Sequence, residues 1–235
     1  MGILTRCPFV LYVAGGLKFL DVGAPRTGTQ SMHMASEILG YRTLHTGYHQ
    51  EFRFPMCNYL FNNGSLELAL AVLENFDAAM DEPVHLMYEE VMTHFPESKF
   101  ILTISDLEDW HENYVSLVQS MDARGVYRAE PLKMFEELHP PGFDKVYAQL
   151  ECSAMASWGC DFLKPTAASK QSCIESHRKH ILRVQQVIPP HRLLVYNWSD
   201  GWSGLSHFLE KPIPDAEFPH EDLPGDKYIP GHTTD

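Results

Sequence analysis

Nine consecutive residues, Gly23-Ala24-Pro25-Arg26-Thr27-Gly28-Thr29-Gln30-Ser31, bring together the residue types that hold an oxyanion. Gly23 and Gly28 stand in the GxxxxG spacing of phosphate-cradling loops. Pro25 stiffens the turn, and Gly28 lets the backbone come close to a ligand. The apolar run before the turn reads as a strand and the pattern after it as a helix. The turn therefore opens a helix whose first N–H groups lack intrahelical acceptors and whose dipole adds partial positive charge. Nucleoside-triphosphate loops of this spacing carry a lysine after the second glycine; here Thr29 and Gln30 stand there, and the cation is Arg26, ahead of Gly28. Thr27, Thr29 and Ser31 add hydroxyl donors. A ligand-free strand-to-helix turn is the plainer alternative. A kinase or triphosphatase lacks both its lysine and a strand-terminal second carboxylate.

Those residues need a scaffold, and the rest of the chain supplies one. The 235 residues, 44% apolar and 21% charged, are enough for one α/β domain with a real core. The net charge of −13 argues against nucleic acid and acidic membranes as partners. No apolar run is long enough to span a bilayer. The short apolar stretch after Arg6 is not expected to be a signal peptide, because the first core strand starts at Leu17. Five cysteines (Cys7, Cys57, Cys152, Cys160 and Cys173) without a CxxC pair predict free thiols in a reducing, cytoplasmic compartment. Residues 1–16 read as a leader or extra edge strand.

Strands are predicted at 17–24, 41–45, 76–82, 99–104 and 192–197. Helices are predicted at 29–39, 66–75, from Asp81-Glu82-Pro83 to about Phe95, at 107–121, 170–187 and 202–209. Ser65 is placed to cap the second helix and Gly40 to end the first. Residues 46–63 read as a loop that can cover a pocket, and 122–168 as a helical insertion shaping it. Strands alternating with helices imply parallel pairing with helices on both faces.

Several blocks in this order resemble the compact P-loop sulfotransferases. They are Val22–Gly40 with Tyr41 and His45; Met80-Asp81-Glu82-Pro83 with Tyr88; Phe95–Thr103; Asp106 with Trp110; and Ile188–Val195 followed by Asp200-Gly201-Trp202, Leu205 and Phe208. The resemblance covers most of the chain outside roughly 112–170. It implies a P-loop NTPase-like three-layer α/β/α fold with a central, mostly parallel sheet, one domain over 1–235. It implies transfer of a sulfuryl group from 3′-phosphoadenosine 5′-phosphosulfate (PAPS) to a hydroxyl of a small-molecule acceptor, without a metal.

Residue by residue, the resemblance places Pro25, Arg26, Thr27, Gly28, Thr29, Gln30 and Ser31 around the 5′-phosphate, with Arg26 beside the bond that breaks. Asp81 matches the family's base; read alone it is equally a helix N-cap. His45 is a second candidate base or a structural histidine. The chain departs from the pattern where an arginine binds the 3′-phosphate: it has Ser105, and Asn113 replaces the serine that follows. Arg124, Arg128, Arg178 and Lys179 are candidate replacements. With Asp21, a charge just before the loop, this departure motivates a second reading: a repurposed member acting as a non-sulfating enzyme of the cyclase or lyase type, or as a ligand-binding protein. Cys173, His177 and His180 share a helix face with no evident fourth ligand, so no metal is expected. Trp110, Trp198 and Trp202 are core, wall or an adenine-stacking face.

Overall fold

The computed structural model describes residues 16–49, 52–123, 158–162 and 164–220. Residues 1–15, nearly all of the stretch expected to be a leader or extra edge strand, most of the expected insertion, and Arg124 and Arg128 lie outside the described residues. Five strands form an all-parallel sheet: β1 (Phe19–Asp21), β2 (Thr43–His45), β3 (Ala78–Met80), β4 (Lys99–Thr103) and β5 (Leu193–Tyr196), in the order β2-β3-β1-β4-β5. Parallel strands need crossovers, and helices supply them: α1 (Thr29–Ile38), α2 (Arg53–Asn62), α3 (Leu66–Leu73), α4 (Tyr88–His94), α5 (Leu107–Ala123), α6 (Ala167–Val187) and α7 (Gly201–Phe208).

The central strands are apolar on both faces because both faces are covered. On one side Leu20, Leu44, Ala79, Phe100 and Leu102 pack against Leu70, Leu73, Val91, Val184 and Ile188. On the other, Phe19, Ala78, Met80 and Ile101 meet Met32, Ala35, Trp202 and Leu205. A third cluster, Trp110, Tyr114, Trp158, Phe162 and Cys173, joins α5 and α6 to the segment around 158–162.

Local signals explain most boundaries. Ser65 Oγ accepts from the Leu68 N–H and starts α3. Gly40 ends α1 with φ 84°. Three expectations change. Residues 46–63 are not all loop: α2 fills 53–62, with Pro55 in its first turn, where a missing N–H costs nothing. The segment after β3 first makes a 3₁₀ turn, Val84–Leu86, and the helix starts only at Tyr88. Helix α6 begins at Ala167 because Thr166 and Ser169 form a reciprocal cap. Strand β5 is an edge strand, and Val195 is exposed.

Cys160 and Cys173 form a disulfide, against the expectation of free thiols. The start of α6 packs on the 158–162 segment and brings the two sulfurs together, a proximity that sequence spacing does not encode. This removes Cys173 from the candidate ligand face, and no group of three His, Cys, Asp or Glu among the described residues is arranged to hold a metal. Among them, too, no helix is long and apolar enough to cross a membrane.

Candidate functional site

All five strands point their C-terminal ends at one edge of the sheet, where ligands bind in open parallel sheets. Strand β1 sits in the middle and runs into the glycine-rich turn. Gly28 precedes α1 with φ 104° and no side-chain cap. The backbone N–H groups of Arg26, Gly28, Thr29 and Gln30 find no acceptor among the described residues. The Arg26 Nε is shielded from solvent and equally without a partner. The turn is thus an open cradle of donors with a guanidinium in it.

Its underside is fixed. The Trp110 indole N–H donates to the Pro25 carbonyl at 2.9 Å, so Trp110 is a brace in the core rather than a stacking face. Thr27 Oγ1 donates to the Ala24 carbonyl at 2.6 Å and lies 2.7 Å from Thr103 Oγ1 on β4. Gly23 leaves room for that contact, since a Cβ there would come within 1.9 Å of Thr103 Oγ1. A Gly23→Ala variant is expected to lose at least about 2–3 kcal/mol of stability, measured by denaturant unfolding, because the neighbour that must move includes the Thr103 backbone.

Asp81 follows β3, the neighbour of β1, and His45 ends β2 beyond it. Asp81 does not cap the helix after it; neither the 3₁₀ turn nor α4 has a side-chain cap. Its carboxylate turns instead toward the Gly47 and Glu82 N–H groups, with His45 Nδ1 at 3.5 Å from Oδ2. A Cβ on Gly47 would sit 2.5 Å from Asp81 Oδ2, so glycine is what lets the two segments approach. Burial pushes the Asp81 carboxyl above its ordinary range, against the pull of Arg53, the two N–H groups and Arg26. Arg26 and Asp81 both adopt left-handed backbone, with φ 70° and 77°. His45 stacks on Tyr48 at 4.3 Å, and burial lowers it to about 3, so it is neutral.

Of the remaining candidates, Pro25, Thr27, Thr29 and Ser31 are buried and Gln30 is half-buried. The Ser105 Oγ, just past β4, is shielded and has no partner among the described residues. Asn113 is exposed, one turn beyond Trp110 on α5. Arg178 and Lys179 both sit against Glu175 on their own helix. Trp202 is buried and donates to the Ala216 carbonyl, whereas Trp198 is 46% exposed and flanks Gly28.

Of three further residues at this edge, Arg53 and Glu82 were given no role by the sequence, and Asp21 stood out only as a charge before the loop. Arg53, at the start of α2, is buried and acts on both Asp81 and Glu82. Glu82 is held by the Tyr114 hydroxyl at 2.6 Å and the Trp158 N–H at 3.0 Å, and burial raises it to about 7. Asp21 lies fully buried under the loop and is likewise raised to about 7. The Glu-Pro after Asp81 resembled a helix start, and the partners of Glu82 are 32 and 76 residues away.

The edge is also rich in buried neutral histidines. Burial pushes His33, His45 and His177 down to about 3 and lowers His85 and His180. The unfolded chain takes up protons below about pH 6.5 where the folded one does not, so these groups stabilise the fold above that pH and lose their contribution as pH falls toward 3. Asp21 and Glu82, and Asp81 with them, pull the opposite way as pH rises above the ordinary carboxylate range but are outnumbered. Thermal unfolding is expected to fall from about pH 6.5 to 4.5 by roughly 1–3 kcal/mol per pH unit, at about 2–4 °C per kcal/mol, readable by circular dichroism.

A central strand that turns through a glycine-rich loop into a helix, in a sheet of this order with helices on both faces, defines an α/β fold of the P-loop type. Within that class the chain belongs to the sulfotransferases: a sulfotransferase domain model matches residues 18–225. A curated relative, the "Ava biosynthesis cluster protein M" of Aspergillus versicolor, is 28% identical over 225 residues, covering 87% of this chain and 80% of the relative.

Proposed function

We propose that the protein moves a sulfuryl group from PAPS to a hydroxyl of a small-molecule acceptor. The observation that carries this reading is the open cradle: loop N–H groups and a shielded Arg26 Nε, all without partners, beside a desolvated carboxylate. The residues fit a nucleotide diphosphate-like anion, since donors converge on the helix N-terminus and Trp198 offers an exposed ring beside Gly28.

Bound PAPS supplies an activated sulfuryl group on a phosphate that can leave. The backbone N–H groups at 28–30 hold the 5′-phosphate by charge-assisted hydrogen bonds. Arg26 neutralises charge that grows on the bridging oxygen. Asp81, one strand across, takes the proton of the acceptor hydroxyl, and its raised pKa makes it a better base than an exposed aspartate. His45 stays neutral and borders Asp81. Ser105 Oγ, just past β4 and without a partner among the described residues, is a donor available to the 3′-phosphate.

The test is incubation with PAPS and a panel of alcohols and phenols, following sulfated product and released adenosine 3′,5′-bisphosphate by mass spectrometry. Absence of bisphosphate binding by calorimetry overturns the reading.

One observation favours the repurposed alternative. Ser105 brings no charge, and Arg178 and Lys179 both face Glu175. Meanwhile Asp81 and Glu82 form a buried pair of carboxyls with raised pKa values, suited to proton transfer without a nucleotide. The name of the fungal relative, a biosynthesis cluster protein, is compatible with either chemistry. Turnover of an acceptor without PAPS would support this second reading.

A further inference from the structure

The carboxyl of Asp21 lies fully buried under the loop, and the proposed chemistry does not use it. A chain of oxygens runs from it into the loop. Thr103 Oγ1 lies 3.0 Å from Asp21 Oδ1 and 3.3 Å from Oδ2. Thr27 Oγ1 lies 2.7 Å from Thr103 Oγ1 and 2.6 Å from the Ala24 carbonyl. The Gly23 N–H donates to Asp21 Oδ1 at 2.9 Å.

Counting protons assigns the donors. A carbonyl only accepts, so the Thr27 hydroxyl donates to Ala24. The 2.7 Å contact then takes the Thr103 proton. Both hydroxyl protons are now placed, and the contact between Thr103 Oγ1 and Asp21, beside the Thr103 N–H that the carboxyl also accepts, has none unless the carboxyl brings it. An ionised Asp21 would leave one of these three contacts as oxygen facing oxygen in a dry interior, where an unmatched polar pair is costly.

We propose that Asp21 is a neutral carboxylic acid that donates to Thr103, completing a hydrogen-bond chain that fixes the loop, and that losing this proton weakens the loop's grip on a nucleotide phosphate. The second half rests on the functional reading above. Ionisation would put a full negative charge directly beneath the anion cradle. The other titratable groups around Asp21 do not cancel that charge. Asp81 at the end of β3 adds to it. His180 of α6, whose Nε2 is 2.7 Å from the Val22 carbonyl, is kept neutral by burial. Arg26 lies on the loop above, where the ligand would share it. Burial places the Asp21 transition at about 7, within reach of ordinary buffers.

Wild-type and Asp21→Asn proteins are titrated with adenosine 3′,5′-bisphosphate by calorimetry between about pH 6.5 and 9. Asparagine offers Thr103 an N–H and Gly23 an acceptor, without an acid to titrate. The ratio of the two affinities cancels the ligand's own ionisation. The wild-type affinity is expected to fall relative to the variant by up to about tenfold per pH unit above 7, the limit for one linked proton. A ratio that stays flat overturns the proposal. A second readout needs no ligand. Isotope-edited infrared spectra of the free protein should show a protonated aspartic carboxyl near pH 6 that is missing in Asp21→Asn and titrates near 7 in the wild type. Its absence in the wild type also overturns the proposal, even if the variant does not fold. A protonated Asp21 in a protein that binds no bisphosphate at any pH confirms the acid and overturns the nucleotide reading with its linkage.

Discussion

Replacing Asp81 with asparagine is expected to lower kcat for sulfuryl transfer by about 10²–10⁴-fold, with the KM for PAPS changed by less than about threefold. Asparagine keeps the size of the side chain and can still accept from the Gly47 N–H, so the pocket survives. What is lost is the carboxylate proposed to take the acceptor's proton. The wild-type rate should rise with pH as Asp81 ionises, with its acid limb above the usual carboxylate range because burial raises this group. That limb should vanish in the variant. His45→Gln should cost far less, since His45 is a buried neutral ring stacked on Tyr48 rather than a group in reach of bulk proton exchange. An Asp81→Asn protein with unchanged kcat would remove Asp81 from the mechanism. Steady-state kinetics across pH on the three proteins decide the matter.

The second large effect belongs to Arg26. An Arg26→Ala protein is expected to lose about 10²–10³-fold in kcat, the range seen when one preorganised donor to a developing charge is removed. The buried Nε has no partner among the described residues, so truncating the side chain leaves no acceptor of that N–H unpaired. Unfolding midpoints should therefore stay close to wild type while turnover collapses. Arg26→Lys should recover only part, because an ammonium cannot reproduce the planar fork that faces a phosphate-like anion. If both variants turn over at wild-type rates, the guanidinium has no part in stabilising the leaving phosphate.

The β1–turn–α1 unit was legible because everything it needs is contiguous: an apolar run, two glycines at fixed spacing, and a helix pattern. Caps at Ser65 and Gly40 were legible for the same reason, being local chemistry. Alternation of strands and helices gave the parallel sheet, which the structure bears out. What escaped depends on contacts across the chain. Helix α2 hides among aromatics, a proline and asparagines, and is held by packing of Met56 and Cys57 rather than by its own pattern. Arg53 came into the site with it. Glu82 shows its role only once Tyr114 and Trp158 converge on it. The Cys160–Cys173 bridge depends on where α6 begins. Asp21 stood out in the sequence as a misplaced charge; its hydroxyl partners on β4 and in the loop make it intelligible.

The left-handed backbone at Arg26 and Asp81 sets heat tolerance and usefulness against each other. Every residue type but glycine is penalised there, by on the order of 1 kcal/mol or more for a bulky side chain such as arginine. Glycine at either position would relax the chain and discard the chemistry proposed for it. A laboratory selection that rewards only survival at high temperature would drift toward those two glycines and return a sturdier, inert protein.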